Sequence, residues 1–476
     1  MAADKIKFGT DGWRAVIGDT YTFANVERVA AATAAWLNKQ PSREGGGQDR
    51  RSAVVGYDTR FLGREFAERT AQVLASRGVH VILSDSFTTT PAVSWATKAF
   101  GCDVGVVITA SHNPPAYNGY KLKAHFGGPS VPEDVAAVEA EIVDARPDRL
   151  TNFKTLVGDG AIAVTDLTRQ YLEELERILD IGAIRKSSLR IAYDAMFGSG
   201  QGTVTALLGE NRVSTLHHDQ NPGFHGQAPE PIDRNLGDLA RFVRDNPVDI
   251  GLATDGDADR IGLFDERGQF VDAHRIMALL TKYLSQDRGM KGDVVKSFAA
   301  TDLLDKMGQA YGLRVETTKI GFKYIASRMV DGSVIVGGEE SGGIAAAGHI
   351  PERDGIYAGL LVAGLMVSSG KPLSVLVDEI MEEFGPHFSF RRDLHIDQET
   401  KESFMHKLVT DGLAEVAGYA IERVDDLDGL KFRSGSGPWV MIRPSGTEPV
   451  LRVYSEADSE KNAEALVNAV AKMVGL

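Results

Sequence analysis

Apolar positions fall into two rhythms along this chain. Val26, Val29, Ala30, Thr33 and Leu37 recur at helical spacing, while 53–57, 79–83 and 104–108 are short apolar runs of strand length. With a helical pattern over 66–74 between the first two runs, the first part of the chain reads as an α/β sheet. An amphipathic helix over 166–179 leads to a second unit, with strands at 189–193 and 248–253 and a returning neighbour at 261–264. A third unit has a helix at 301–311, strands near Val315 and at 334–336, a loop at 319–323 and a greasy buried helix around 358–367. After a helix at 372–384 the rhythm changes to short strands at 387–395, 418–423 and 439–442, with helices at 399–413 and 459–474. The prediction is three α/β domains (1–155, 156–268, 269–384) and a C-terminal α+β domain (385–476). Residues 40–51, with three consecutive glycines, read as a surface connection.

Composition narrows the partners. A formal charge of −14 argues against nucleic acid and against an anionic membrane surface, and it requires any anion site to gather Lys and Arg locally. The longest greasy stretch is well short of the ~20 residues a membrane span needs. The single cysteine, Cys102, suits a reducing cytoplasm, and no secretory signal is visible at the start.

Four stretches carry candidate chemistry. Thr109-Ala110-Ser111-His112-Asn113-Pro114 follows an apolar strand, which puts the Ser111 hydroxyl where open α/β sheets place reactive loops. Asp255, Asp257 and Asp259 alternate behind the 248–253 strand and in an extended segment would project to one side. Three carboxylates about 5 Å apart cost about 3 kcal/mol per pair at an effective dielectric near 20, so a divalent cation is the natural neutraliser. A calcium loop would place Glu266 twelfth, but Arg260 stands sixth, where glycine is needed, and the flanks read as strands. Glu339 and Ser341, between glycine pairs, suit a polyol, or Ser341 could cap a helix. Arg443-Pro444-Ser445-Gly446-Thr447-Glu448-Pro449 has the make-up of an anion cradle or of an ordinary turn. The Gly-rich turn 197–202 lacks both dinucleotide and Walker spacing and reads as structural.

Together with the start Phe8-Gly9-Thr10-Asp11-Gly12-Trp13-Arg14, these stretches resemble, in order, the five signatures of the α-D-phosphohexomutases. The resemblance spans residues 8–449 and implies α/β architecture in the form of three similar mixed-sheet α/β domains plus a C-terminal α+β domain around a central cleft, and reversible phosphoryl transfer between the 1- and 6-positions of a hexose phosphate. It implies a phosphoserine at Ser111, a bound hexose 1,6-bisphosphate, Mg2+ on Ser111, Asp255, Asp257 and Asp259, and glucose 1,6-bisphosphate as activator. Arg14, His112, Lys121 and Arg260 match positions around the phosphoserine. Lys323, Glu339 and Ser341 match sugar-facing loops, and Arg443, Ser445, Gly446 and Thr447 the phosphate site. Gly343 stands where many bacterial members have histidine, and 349–355 resembles the H-I-R-E-K-D-G stretch of phosphoglucomutases with Arg353 at the lysine. The general acid/base is therefore open. Expected partners are small sugar phosphates, with glucose preferred and mannose accepted, acting in a monomer or dimer. Phosphoglucosamine mutase and a non-catalytic sugar-phosphate binder are the alternatives.

Overall fold

The computed structural model describes residues 5–41, 51–435, 437–445 and 449–476. The first sheet orders its strands Trp13–Val16, Tyr117–Ala124, Val104–Ile108, Ser52–Tyr57, His80–Ser84, Ile162–Thr165, with Gly128–Pro129 beside Tyr117–Ala124. Its four later strands are parallel and the other pairings antiparallel. The second sheet runs Phe270–Val271, Ile261–Asp265, Ile250–Thr254, Ile191–Asp194, Val213–Leu216, and the third Val315–Thr318, Asp293–Ser297, Val334–Gly338, Ile344–Ala346. The fourth is wholly antiparallel, Phe388–His395, Val450–Ala457, Trp439–Pro444, Leu430–Arg433, Arg423–Asp425, with Glu460–Met473 packed on it.

One device recurs in the first three sheets. A buried strand runs out, makes a loop and returns antiparallel to itself: Val104–Ile108 with Tyr117–Ala124, Ile250–Thr254 with Ile261–Asp265, Val334–Gly338 with Ile344–Ala346. The Ser111, Asp255–Asp259 and Glu339–Ser341 stretches are those three loops. The returning strand pins both ends of each loop by backbone pairing.

The second and third units share one core, in which Leu252, Ile261, Ile276, Val336, Ile356 and Leu360 are all buried. Helix Gly355–Ser369 is its spine; Asp354 caps it, accepting from the Tyr357 N–H. The helix crosses the second sheet closely enough that a Cβ on Gly359 would meet Leu252 Cδ1 at 2.1 Å. Its greasy sequence is thus a core signature, and among the described residues no single helix is long and apolar enough to cross a membrane.

The helices at 166–179, 358–367, 372–384, 399–413 and 459–474 fall where periodicity puts them, with Asp166 and Ser459 as N-caps. Three readings change. The 319–323 loop is shorter than expected, because Phe322 and Lys323 open a helix, Phe322–Met329. The 418–423 strand is two short ones, Tyr419–Ala420 and Arg423–Asp425, paired to different partners. Ser341 caps no helix; it sits in the turn before Ile344–Ala346. Most of the 40–51 connection lies outside the described residues.

Candidate active site

The loop after Val104–Ile108 turns sharply at Ser111, whose φ is +52°. The conformation is uncommon for a non-glycine residue, and such positions persist when their surroundings over-determine them. Here Thr109 Oγ1 accepts from the Ser111 N–H at 2.8 Å and donates to Asp58 Oδ2 at 2.5 Å. Arg60, paired with Asp58 at 3.2 Å, donates to the carbonyls of Ser111, Asn113, Pro114 and Tyr117. One fully buried guanidinium therefore holds the loop by its backbone. The Phe224 ring lies 4.9 Å from it.

Ser111 Oγ donates to Asp255 Oδ2 at 2.7 Å and lies 3.3 Å from His112 Nδ1. The two loops meet closely: a Cβ on Gly256 would stand 2.6 Å from the Ser111 carbonyl oxygen. The structural reading of the Gly-rich turn holds, since the Ser199 N–H donates to the Gly256 carbonyl and Gly198 backs the same loop.

Asp255, Asp257 and Asp259 converge, with ligand atoms within 4.8 Å of one another. They do not converge by extended alternation. The segment is turned, with Ala258 left-handed at φ +59°, and the three carboxylates are gathered by curvature. Lys121, from the returning strand of the first sheet, reaches Asp257 at 2.8 Å, Asp259 at 3.0 Å and Asp11 at 2.9 Å. Thr90 donates to Asp257 Oδ2 at 2.5 Å. Arg353 donates to Asp11 at 2.5 Å and to Asp259 at 2.6 Å, and its NH1 lies 3.8 Å from Glu339 Oε2. Among the described residues, Oδ1 of Asp257 and Oδ1 of Asp259 are buried with no hydrogen-bond partner. Buried carboxylate oxygens without a donor are rare, and hard oxygens so placed fit a hard divalent cation such as Mg2+.

Electrostatics divides the groups. Burial, and then the neighbouring Asp257 and Asp259, push Asp255 well above the usual carboxylate range. Burial pushes Asp257 the same way, but Lys121 and Thr90 outweigh it and leave Asp257 lowered. Burial opposes the charge on Lys121 and on Arg353, yet the surrounding carboxylates hold both firmly cationic. His112 is pushed well below its ordinary value by burial and by Arg260, Arg14 and Lys121, so its ring is neutral. Burial raises Glu339 to about 7.

Arg14 donates to Asn113 Oδ1 at 2.6 Å, which places it on the Ser111 loop. The Arg260 N–H donates to Asp255 Oδ1 at 3.0 Å, and its guanidinium lies 3.9 Å from Glu230. Glu339 Oε1 accepts from the Gly321 N–H at 2.9 Å. Lys323 lines a cavity of about 390 Å3 with Thr10, Asp11 and Gly12. Farther along, Arg443 donates through Nε to Asp428 at 3.0 Å, and Lys401 donates to the Ser445 carbonyl at 3.0 Å. Gly446 and Thr447 lie outside the described residues. The structure thus joins Ser111, His112, Arg14, Lys121, Arg260, the three aspartates, Arg353 and Glu339 in one contact network. Ser341 is half-buried in the Glu339 turn, and Arg443 and Ser445 belong to the fourth sheet's end.

Gly343 and Arg353 are sterically linked. A Cβ on Gly343 would lie 2.4 Å from Arg353 Cδ, so the arginine fills the room a side chain at 343 would need. Sequence reasoning missed Asp11, Asp58, Arg60 and Thr90. Asp58 and Arg60 had a faint signal, two charges directly after a buried strand.

Comparison with known families matches four domains of phosphoglucomutase/phosphomannomutase: the alpha/beta/alpha domains I, II and III at residues 5–148, 169–268 and 272–384, and the C-terminal domain at 406–473. A phosphoglucomutase/phosphomannomutase from Thermococcus kodakarensis is 31% identical over 98% of each chain. A probable phosphoglucosamine mutase from Pyrococcus abyssi is 30% identical over 98% of this chain and 97% of its own. The crystal structure of a proposed phosphomannomutase from Thermus thermophilus superposes with a TM-score of 0.86 at 34% identity, covering 99% of both chains.

Proposed function

Because the chain belongs to the phosphoglucomutase/phosphomannomutase family, we propose that it is a hexose-phosphate mutase working through phosphorylated Ser111. It moves a phosphoryl group between the 1- and 6-positions by way of a bound hexose 1,6-bisphosphate, with glucose preferred and mannose accepted. The observation that carries this reading is the Ser111 hydroxyl 2.7 Å from Asp255, in an aspartate cluster with two partnerless buried oxygens and with Lys121 and Arg353 against it.

In the first transfer the sugar hydroxyl oxygen bonds to phosphorus as the bond from phosphorus to Ser111 Oγ breaks. The proton leaving the hydroxyl ends on Oγ, so the step is balanced. His112, whose Nδ1 lies 3.3 Å from Oγ, is placed to carry that proton to serine and to take it back when serine becomes the acceptor again. Mg2+ held by Asp255, Asp257 and Asp259 would supply Lewis-acid stabilisation of the phosphoryl oxygens. Lys121 and Arg353, fixed cations, offset the remaining charge, since phosphoryl transfer asks mostly for positioning and electrostatics. Glu339 and Ser341 hold the sugar by its middle hydroxyls, and Arg443 with the Ser445 loop holds the non-transferring phosphate. The sugar then turns over and the second transfer runs in reverse.

The probable phosphoglucosamine mutases among the relatives favour a second reading, amino-sugar phosphates. Against it, the family's amino-sugar mutases usually carry the histidine that Gly343 replaces. A coupled assay with glucose 1-phosphate and catalytic glucose 1,6-bisphosphate tests the reading. Turnover that depends on Mg2+ supports it, and no turnover with any hexose phosphate would falsify it.

A further inference from the structure

Two consecutive backbone N–H groups in the third unit are taken by carboxylates from different units. Gly321 donates to Glu339 of its own unit at 2.9 Å, and Ile320 donates to Oδ2 of Asp428 in the terminal unit at 2.9 Å. The other oxygen of Asp428, Oδ1, accepts from Arg443 Nε at 3.0 Å. Asp428 stands in the hairpin turn between Arg423–Asp425 and Leu430–Arg433. An aspartate in such a turn ordinarily bonds to its own turn backbone. Here the carboxylate points outward, and both oxygens serve other segments.

The turn is fixed as well. Gly429, at φ +97°, presses so close to the neighbouring strand that a Cβ would meet the Ile442 carbonyl oxygen at 2.7 Å and Arg443 Cα at 3.2 Å. On the other side, Gly321 at φ +130° sits where a Cβ would be 3.2 Å from Thr10 Cγ2 of the first unit. The short 319–321 segment therefore touches the first, third and fourth units. Polar contacts run unbroken from Arg443 through Asp428 to Ile320, and the next N–H continues through Glu339 and Arg353 to Asp259.

The geometry points to Asp428 as a positioning residue that couples the phosphate-binding arginine of the terminal unit to the sugar-facing loop. The inference rests on the proposed role of Arg443. A guanidinium has five N–H donors, and Asp428 takes the one on Nε, which fixes the plane in which the four Nη donors meet a phosphate. The same carboxylate sets the loop that carries Gly321 against Glu339. Phosphate capture and sugar placement then share one anchor, and losing it separates them: the phosphate is still bound, but the sugar is held out of line.

The test uses the whole protein and two readouts. The first is binding of 1,5-anhydroglucitol 6-phosphate, which keeps the 6-phosphate and has no 1-hydroxyl to accept a phosphoryl group, followed by calorimetry. The second is kcat with glucose 1-phosphate. Asp428→Asn is isosteric but has one acceptor oxygen where two are used, so it keeps one link at most. It should bind the probe within about threefold of wild type while kcat falls about tenfold or more, because small misplacements are costly to transfer. Asp428→Ala should behave alike, and Arg443→Ala should weaken the probe about tenfold or more. A kcat for Asp428→Asn within twofold of wild type overturns the coupling. So does a loss of probe binding in Asp428→Asn equal to that in Arg443→Ala, which would make Asp428 part of the phosphate site itself. Unchanged probe binding in Arg443→Ala overturns the assignment of the phosphate site, and the coupling with it.

Discussion

The two ends of the proposed site are built on opposite terms. At the transfer end Ser111 is 1% exposed and Lys121, Asp255, Asp257 and Asp259 are 0% exposed, and the cluster is assembled from three units. At the far end the side chains of Arg443 and Asp428 are 20% and 21% exposed, and their contact is a single ion pair. Charges removed from water interact far more strongly, but each unpaired charge then costs heavily. In the proposed mechanism charge develops at the transfer end during the reaction, and fixed, dry dipoles stabilise it best, which offsets that cost. The far end has a different task. In the proposed mechanism it takes one phosphate, releases it while the sugar turns, and takes the other, a task that suits a partly exposed arginine better than a dry one.

The sharpest way to break this comparison is to remove the hydroxyl at the dry end. Ser111→Ala should lose mutase turnover entirely and carry no phosphate by intact mass, while wild type carries about one. Its stability should change by no more than about 2 kcal/mol, since one hydrogen bond to Asp255 is lost. Near-native turnover in this variant would end the phosphoserine assignment.

The aspartates test whether the dry end is balanced or merely crowded. Chelation should abolish turnover and Mg2+ restore it, and Asp255→Asn and Asp257→Asn should each weaken the Mg2+ response. Their stabilities should diverge. Asp257 is held below the usual carboxylate range, so its contribution is present above the unfolded value and lost as pH falls through the folded one. Asp255 is held well above it, so its contribution is present at low pH and lost as pH rises from the unfolded value, near 4, through the folded one. In chelator at neutral pH, Asp257→Asn should melt lower than wild type and Asp255→Asn higher. Equal shifts of one sign in both would mean that the three carboxylates share one environment.

Much of this contrast is legible in the sequence. The strand-length apolar runs placed the loops at strand ends, and the recurrence of Ser111, the aspartates, Glu339 and Arg443 as family signatures named the chemistry. What was hidden depends on long-range contact. Asp58 and Arg60 look like any charged pair after a strand, until four carbonyls of the Ser111 loop are found on one guanidinium. Asp11 and Thr90 are single polar residues whose partners, Lys121 and Asp257, stand more than a hundred positions away or in another unit. Alternation misled on the aspartates, because period-two reasoning assumes extended backbone and Ala258 is left-handed. The steric exclusion between Gly343 and Arg353 joins two departures that looked independent in the sequence.

At the wet end, Arg443→Ala should cost about 1.5–3 kcal/mol in kcat/KM, the usual weight of a hydrogen bond to a charged group. Part of that should appear in kcat, because binding energy at the distant phosphate positions the reacting end. The comparison predicts a smaller loss here than at any transfer-end residue. An unchanged kcat/KM would remove Arg443 from the phosphate site.

The smallest effect concerns the sugar between the two ends. An intermediate that must react in both orientations is best held by groups near the middle of the ring as seen from either side. The 3- and 4-hydroxyls meet that condition, and they are the proposed partners of Glu339 and Ser341. Glu339 is buried, with one oxygen committed to the Gly321 N–H, so it can read a hydroxyl strictly. The sequence shows no motif devoted to the 2-position, where glucose and mannose differ, and Arg353 occupies the space that a side chain at Gly343 would need. A hydroxyl read only weakly gives about 1–3 kcal/mol of discrimination, whereas a buried polar group left unpaired gives far more. Glucose 1-phosphate and mannose 1-phosphate should therefore both be substrates, within about a hundredfold in kcat/KM and with glucose ahead. Glucosamine 1-phosphate should be poor, since the histidine usual in the family's amino-sugar mutases is replaced here by Gly343. All three sugars measured in one coupled assay decide the matter, and glucosamine 1-phosphate as the best substrate would transfer the assignment to the amino-sugar mutases.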